Sequence, residues 1–198
     1  DINFGPIMVL DHSKFLALSG TKNLKLQLSK TGWDEIVLGY SDADWAENKR
    51  DRKSNTGMIC LVNGGVVSWS CRKQDVVSLS TAEAEYVALA ETCKEIIWIK
   101  RLVEAFHFKT DKAITIFTDN QSAKSLVDNH RFSQRSKHID TKFHFIRDVS
   151  EKQIVSVKYH PTATNIADLL TKPLGGNKVR QLRELAGLKE LQVSQSMS

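Results

Sequence analysis

Apolar positions are sparse and short at the start of the chain. Residues 8–10 and 15–18 are brief apolar runs, and Leu24, Leu26 and Leu28 alternate with polar neighbours as a strand does. Thr31-Gly32 breaks that pattern, and from Ile36 the signal sharpens. Residues 36–42 (IVLGYSD) are apolar on both faces, which suits a central strand. Period-two alternation sets Asp42 on the face of Ile36, Leu38 and Tyr40. A polar loop over 47–53 leads to a second expected strand at 56–62, Asn63-Gly64-Gly65 signals a hairpin, and a third strand follows at 66–70. A helix is then expected from Thr81, read as its N-cap, to about Phe106. Glu85, Leu89, Ile96, Ile99, Val103 and Phe106 recur on it at helical spacing, so this stripe faces inward. Glu83 lies about 200° away, beside Glu91 and Lys94, and is expected to be solvated. Glu85 is therefore an inward carboxylate at a first helical turn, and such a group needs a cation or donors.

The second half alternates strand and helix. Residues 113–118 (AITIFT) form an expected strand ending in Asp119, followed by a short helix near 121–128. A helix over about 137–150 carries Ile139, Phe143 and Ile146 on one side, with Lys137, His138, Lys142, His144 and Arg147 elsewhere. The last long strand is expected at 154–159. A short helix over about 165–171 holds Asp168 before Pro173, and a further helix near 179–186 is capped by Gly187. The tail from Val193 is polar and is expected to be disordered. These elements predict an α/β fold: a mixed five-stranded sheet, three antiparallel strands then two parallel ones, with helices packed on it. A right-handed crossover brings the strand ending in Asp119 parallel to the one ending in Asp42. A site is expected outside those carboxyl ends, where the chain order reverses.

Composition narrows this reading only modestly. With 198 residues the chain suits one sizeable core with appendages. A net charge of +5 leans toward a polyanionic partner such as nucleic acid. Cys60, Cys71 and Cys93 form no CxxC pair, which argues against a disulfide framework or a zinc site and fits a reducing, intracellular setting. No apolar run approaches the ~18 residues of a membrane span, so no membrane association is expected.

Each acid has an ordinary alternative: Asp42 a turn former, Asp119 an N-cap, Asp168 a residue favoured by a helix dipole, Glu85 a salt-bridge partner. Placed on one fold, all four fall at the same end of the sheet. Four converging carboxylates repel unless cations neutralise them, and hard oxygen ligands suit Mg²⁺ or Mn²⁺. Two such ions ~4 Å apart support in-line hydrolysis of a phosphodiester.

GYSDADW, DRKSNTG, SWSCRKQ, LSTAEAEYVAL, FTDNQSA, RSKHIDTKFHFIRD and NIADLLTKPL, in that order, resemble the ribonuclease H region of copia-type LTR-retrotransposon Pol polyproteins. The likeness covers residues 36–174. Residues 20–28 faintly resemble the end of a preceding reverse transcriptase. The implied division is 1–35 as the end of that unit or a connection, 36–174 as the ribonuclease H-like domain, and 175–198 as a helix and tail. The resemblance implies the catalytic and metal-holding acids Asp42, Glu85, Asp119 and Asp168, with two Mg²⁺ (or Mn²⁺) and no small-molecule cofactor. His160 matches the family's loop histidine, a candidate for proton transfer or product release. Its alternative is a strand-end residue satisfied by its own loop, and its gap to Asp168 is shorter than in cellular ribonucleases H. Asp44 is a candidate accessory ligand. Backbone phosphates are expected to meet Asn120, Gln121 and Ser122 at a helix start, Arg72 and Lys73 after the third strand, and Arg135 and Lys137 on the basic helix. The implied activity is endonucleolytic cleavage of the RNA strand in RNA–DNA hybrids, leaving a 3′-hydroxyl and a 5′-phosphate. Its partner is the reverse transcriptase region of the same polyprotein, in a cytoplasmic virus-like particle or the nucleus. No YxDD polymerase signature is present. The competing reading is an inactive, transposon-derived nucleic-acid-binding or structural domain. An integrase is disfavoured, because there the glutamate comes last.

Overall fold

The computed structural model describes residues 24–28, 35–46, 50–108, 110–128 and 140–190. Strand β1 (Leu24–Leu26) is followed by β2 (Val37–Ala43), β3 (Asn55–Val62) and β4 (Gly65–Lys73). Helix α1 (Thr81–Ala105) leads to β5 (Ile114–Thr118), α2 (Gln121–Asp128), α3 (Asp140–Glu151) and β6 (Val155–Tyr159). A 3₁₀ turn (Thr162–Thr164), α4 (Asp168–Thr171), α5 (Gly176–Leu185) and β7 (Leu188–Glu190) complete the described chain.

Five strands form one sheet in the order β4-β3-β2-β5-β6, antiparallel through β4, β3 and β2, and parallel through β2, β5 and β6. This is the expected mixed sheet. Every residue of the central strand β2 is buried, which explains its apolar character on both faces. One face packs Val37, Cys60, Ile116 and Val157 against Leu89, Ile96 and Ile99 of α1 and Phe143 and Ile146 of α3. Tyr86 and Phe143 stack there with centroids 5.0 Å apart. The opposite face packs Leu38, Tyr40, Ile59 and Leu61 under Ile166, Ala167, Leu182 and Ala186. Asn63 and Gly64 turn the β3–β4 hairpin with φ of 48° and 78°, the positive pair that a tight two-residue turn demands. Outside this sheet, β1 pairs antiparallel with β7.

Several boundaries and environments differ from expectation, each for a local reason. Ser80, not Thr81, caps α1, its Oγ accepting from the Glu83 N–H at 3.2 Å. Glu83 is not solvated: its carboxylate folds back to accept from the Leu79 N–H at 2.6 Å. Glu83 thus closes the first turn in the manner of a capping box, but onto the N–H of Leu79, one residue before the N-cap, rather than that of Ser80. The inward stripe ends at Val103. Phe106 lies one residue past the helix and is 66% exposed. Strand β4 runs on to Lys73, so Arg72 and Lys73 belong to the strand rather than to the loop after it. The helix expected over 165–171 is shortened to α4, which opens on Asp168, and a 3₁₀ turn at Thr162–Thr164 precedes it. The last helix starts earlier, at Gly176, and Gly187 follows it with φ 86°. The apolar runs at 8–10 and 15–18, the start of the helix expected from 137, and the tail lie outside the described residues.

The three thiols occupy unlike environments. Cys60 and Cys93 are buried and burial pushes both thiols up, Cys93 to about 12, whereas Cys71 is exposed on β4. A thiol-labelling reagent at pH 8 is therefore expected to modify Cys71 alone in the native chain, and all three cysteines in denaturant, counted by intact mass. Native labelling of Cys93 would contradict this packing.

Candidate metal centre

Three elements bring three carboxylates together. Asp42 is the penultimate residue of β2, Glu85 stands in the first turns of α1, and Asp119 follows β5; one oxygen from each lies within 4.8 Å of the others. Parallel pairing of β2 with β5, Ser41 opposite Thr118, sets the two aspartates side by side at the carboxyl ends. Ala43, Ala84 and Ala88 pack together, and these small side chains let α1 approach the end of β2. The site opens into a cleft of about 520 Å³ lined by Ala43, Asp44, Trp45, Glu85, Asp119 and Lys172, among others.

The fourth acid arrives from a separate direction. Asn165 donates its side-chain N–H to the Ser41 carbonyl at 3.1 Å and accepts from the Ala167 N–H at 3.2 Å, tying the loop before α4 to the end of β2. Asp168 is thereby set beside Asp42, and Thr171 Oγ1 donates to Asp42. Lys172 Nζ lies 2.7 Å from Asp168, 3.0 Å from Asp42 and 4.0 Å from Asp119. Thr162 Oγ1 donates to Asp119 at 2.7 Å.

The electrostatics are strongly unfavourable without more positive charge. Two unit charges 4.8 Å apart repel by about 3 kcal/mol at an effective dielectric constant of ~20. Burial, then the charges of Asp42 and Asp119, push Glu85 up to about 9. Burial also pushes Asp42 up, against the Thr171 hydrogen bond and Lys172. Burial lowers the pKa of Lys172, but hydrogen bonds and charge from Asp168 and Asp42 outweigh it, and the ammonium is held well above its ordinary value. One ammonium cannot balance four carboxylates. Glu85 Oε2 is buried and has no hydrogen-bond partner among the described residues. An orphaned carboxylate oxygen beside two other acids is the donor set that a hard divalent cation takes. The residues therefore fit a metal ion.

The chain is 41% identical over 157 residues to the "Retrovirus-related Pol polyprotein from transposon TNT 1-94" of Nicotiana tabacum, a match covering 79% of the chain. The chain is thus similar to copia-type, retrovirus-related Pol polyproteins. It spans only 12% of the length of that Pol relative. No protein-family model matches the chain. Its fold is that of ribonuclease H. LC11-RNase H1, solved in complex with an RNA/DNA hybrid, superposes with a TM-score of 0.50 at 14% identity, covering 68% of this chain and 93% of that one. The N-terminal ribonuclease H domain of rv2228c from Mycobacterium tuberculosis gives 0.51 at 13%, covering 76% and 95%.

Within this fold the structure gathers Asp42, Glu85 and Asp119 directly and joins Asp168 to Asp42 through Lys172. Asp44, considered as an accessory ligand, is spent elsewhere: its carboxylate accepts from both the backbone and side-chain N–H groups of Asn55. His160 stands between Tyr40 and Phe117, centroids 5.4 and 4.8 Å away, with Nε2 2.9 Å from Thr164 Oγ1. Burial lowers its pKa, partly opposed by the Thr164 hydrogen bond and the charge of Asp119. Asn120 caps α2, accepting from the Ala123 N–H at 2.9 Å, while Gln121 and Ser122 are exposed. Arg72 and Lys73 are exposed on β4, Lys73 pairing with Asp51 at 2.8 Å. Arg135 and Lys137 lie outside the described residues. Sequence reasoning missed Asn165, Thr171 and Lys172. Helical periodicity was the one available signal, since Lys172 stands four residues after Asp168. Among the described residues no helix is long and apolar enough to cross a membrane.

Proposed function

We propose that this chain is a metal-dependent endonuclease domain that hydrolyses the RNA strand of RNA–DNA hybrids during reverse transcription of an LTR retrotransposon. The observation that carries this is the triad of buried Asp42 and Glu85 with half-buried Asp119, including its unpartnered Glu85 oxygen, at the sheet end where the ribonuclease H fold opens a cleft. Asp42, Glu85 and Asp119 would hold one Mg²⁺, and Asp42 with Asp168 a second, Mn²⁺ being an acceptable substitute. When bound, the ions supply water activation and stabilise the leaving oxygen. Asn165 and Thr171 position Asp42 and Asp168. His160, held toward its neutral form by burial, is suited to accept a proton near the product phosphate. Asn120, Gln121 and Ser122 at the start of α2, Arg72 and Lys73 on β4, and Arg135 and Lys137 are assigned to the phosphate backbones. The domain limits proposed are 36–174 for the nuclease, with 1–35 leading from a reverse transcriptase and 175–198 closing the unit. Its setting would be the virus-like particle of such an element.

The test uses labelled RNA–DNA hybrid, double-stranded RNA and double-stranded DNA, each with Mg²⁺ or EDTA. Cleavage is expected only in the RNA strand of the hybrid. EDTA should abolish it, and Asp42→Asn should reduce it by about a thousandfold or more. Hybrid binding without cleavage by the wild-type chain would instead favour an inactive nucleic-acid-binding domain.

A further inference from the structure

The four acids do not form one uniform cage. Asp42, Glu85 and Asp119 approach one another directly, whereas Asp168 meets Asp42 only across the Lys172 ammonium. That ammonium bridges the two carboxylates at 2.7 and 3.0 Å, in the space that any other cation shared by Asp42 and Asp168 would need. We infer that Lys172 is a resident cation of the site, occupying the Asp42–Asp168 limb and yielding it only when a second divalent ion displaces the side chain. The inference rests on the metal-binding reading above.

The two partners of the exchange differ in mobility. Asp42 and Asp168 are 0% and 2% exposed, and backbone pairing, Asn165 and Thr171 fix them. The Lys172 side chain is 35% exposed and hangs from an extended residue just past α4, so it can swing toward the cleft without disturbing the sheet. Neutralisation of Lys172 is not the switch, because its carboxylate neighbours keep it charged across the working pH range. Competition for space and charge is. The ion of the triad meets Lys172 only through Asp42 and, at 4.0 Å, Asp119, whereas the second ion meets it on both of its carboxylates. A state in which Lys172 is docked most of the time lowers the apparent affinity for that ion by the fraction of time the limb is open. Lys172 is thus a positioning residue that partly neutralises the metal-free site and orders its loading.

The test is calorimetric titration of Mn²⁺ into the full chain at fixed ionic strength, comparing wild type, Lys172→Gln, Lys172→Arg and Asp42→Asn. Lys172→Gln is expected to bind the second Mn²⁺ about tenfold tighter or more, with a smaller change at the first, and Lys172→Arg to follow wild type. In EDTA, Lys172→Gln should melt below wild type, and saturating Mn²⁺ should raise its midpoint by more than it raises the wild-type one. A second Mn²⁺ bound no more tightly by Lys172→Gln, with the first intact, overturns the role of Lys172 alone. An absence of any Mn²⁺ site sensitive to Asp42→Asn overturns the metal-binding reading and this inference with it. If Lys172→Gln does not fold, acylation of Lys172 in the wild-type chain decides the matter. It should be slow in EDTA and faster with saturating Mn²⁺, and unchanged reactivity refutes the exchange.

Discussion

Glu85→Gln is expected to abolish hybrid cleavage and, in the absence of metal, to raise the melting midpoint at pH 8 by about 5 °C. The two effects share a cause. Burial and the neighbouring charges of Asp42 and Asp119 push the Glu85 carboxyl up to about 9 in the fold, from an ordinary value of 4.5. A group whose folded pKa is raised favours the folded state most below its unfolded value, and that advantage is lost as pH rises through the folded one. Metal-free wild type should therefore lose stability steadily from about pH 5 to about pH 9, with Asp42 adding in the same direction. A glutamine keeps the volume, never ionises, and can turn its amide N–H toward the adjoining carboxylates. Its pH dependence should be correspondingly flatter. Divalent cation reverses the ranking, because the ionised glutamate is then the better ligand and wild type gains more from Mg²⁺ than the variant does. Thermal melts across pH in EDTA and in Mg²⁺, beside a cleavage assay, give all of these readings. A variant that melts below wild type in EDTA at pH 8 would contradict the account of Glu85.

The parts of this site that could be read from the chain are those whose chemistry follows from local pattern. Asp42 and Asp119 end apolar runs, and the crossover rule alone sets those runs parallel and their ends together. Glu85 stands on the inward stripe of a long helix, and the structure buries it at 6% exposure. Glu83 shows the limit of helical phase as an argument. The wheel sends it outward, yet Ser80-Thr81-Ala82-Glu83 carries the capping-box pattern, and the Leu79 N–H just before the helix draws its carboxylate back. That signature was present in the sequence. Asp44 has a partner that local pattern does not reveal: Asn55, eleven residues away on the next strand, a pairing set by register rather than by motif. Lys172 and Asn165 were illegible for the same reason. Each acts on β2 from more than 120 residues away, and only the packing of α4 over the sheet brings them there.

That packing depends on Gly57, and Gly57→Ala is expected to destabilise the fold by about 1–3 kcal/mol and to weaken the metal site. Gly57 lies directly opposite Asp42 in the β2–β3 register. A methyl group there would stand 2.5 Å from Thr171 Cγ2, 3.1 Å from the Ala167 carbonyl oxygen and 3.3 Å from Leu170 Cβ. Two of those contacts involve backbone or Cβ atoms, which move only if α4 moves. Exchanging glycine for alanine inside a strand ordinarily gains roughly 0.5–1 kcal/mol, so the steric penalty must reverse that sign. Displacing α4 carries Asp168, Thr171 and Lys172 away from Asp42 together. The defect should therefore appear in Mn²⁺ affinity and in cleavage as well as in the melting midpoint, and Gly57→Val should be worse on all three. Gly176→Ala supplies the contrast. Nothing lies within 4 Å of the added methyl at the start of α5, so that variant should match or slightly exceed wild type. A Gly57→Ala chain that melts with wild type and binds Mn²⁺ as tightly would mean that α4 is not held against β3 as described, and that Asp168 reaches the site by another arrangement.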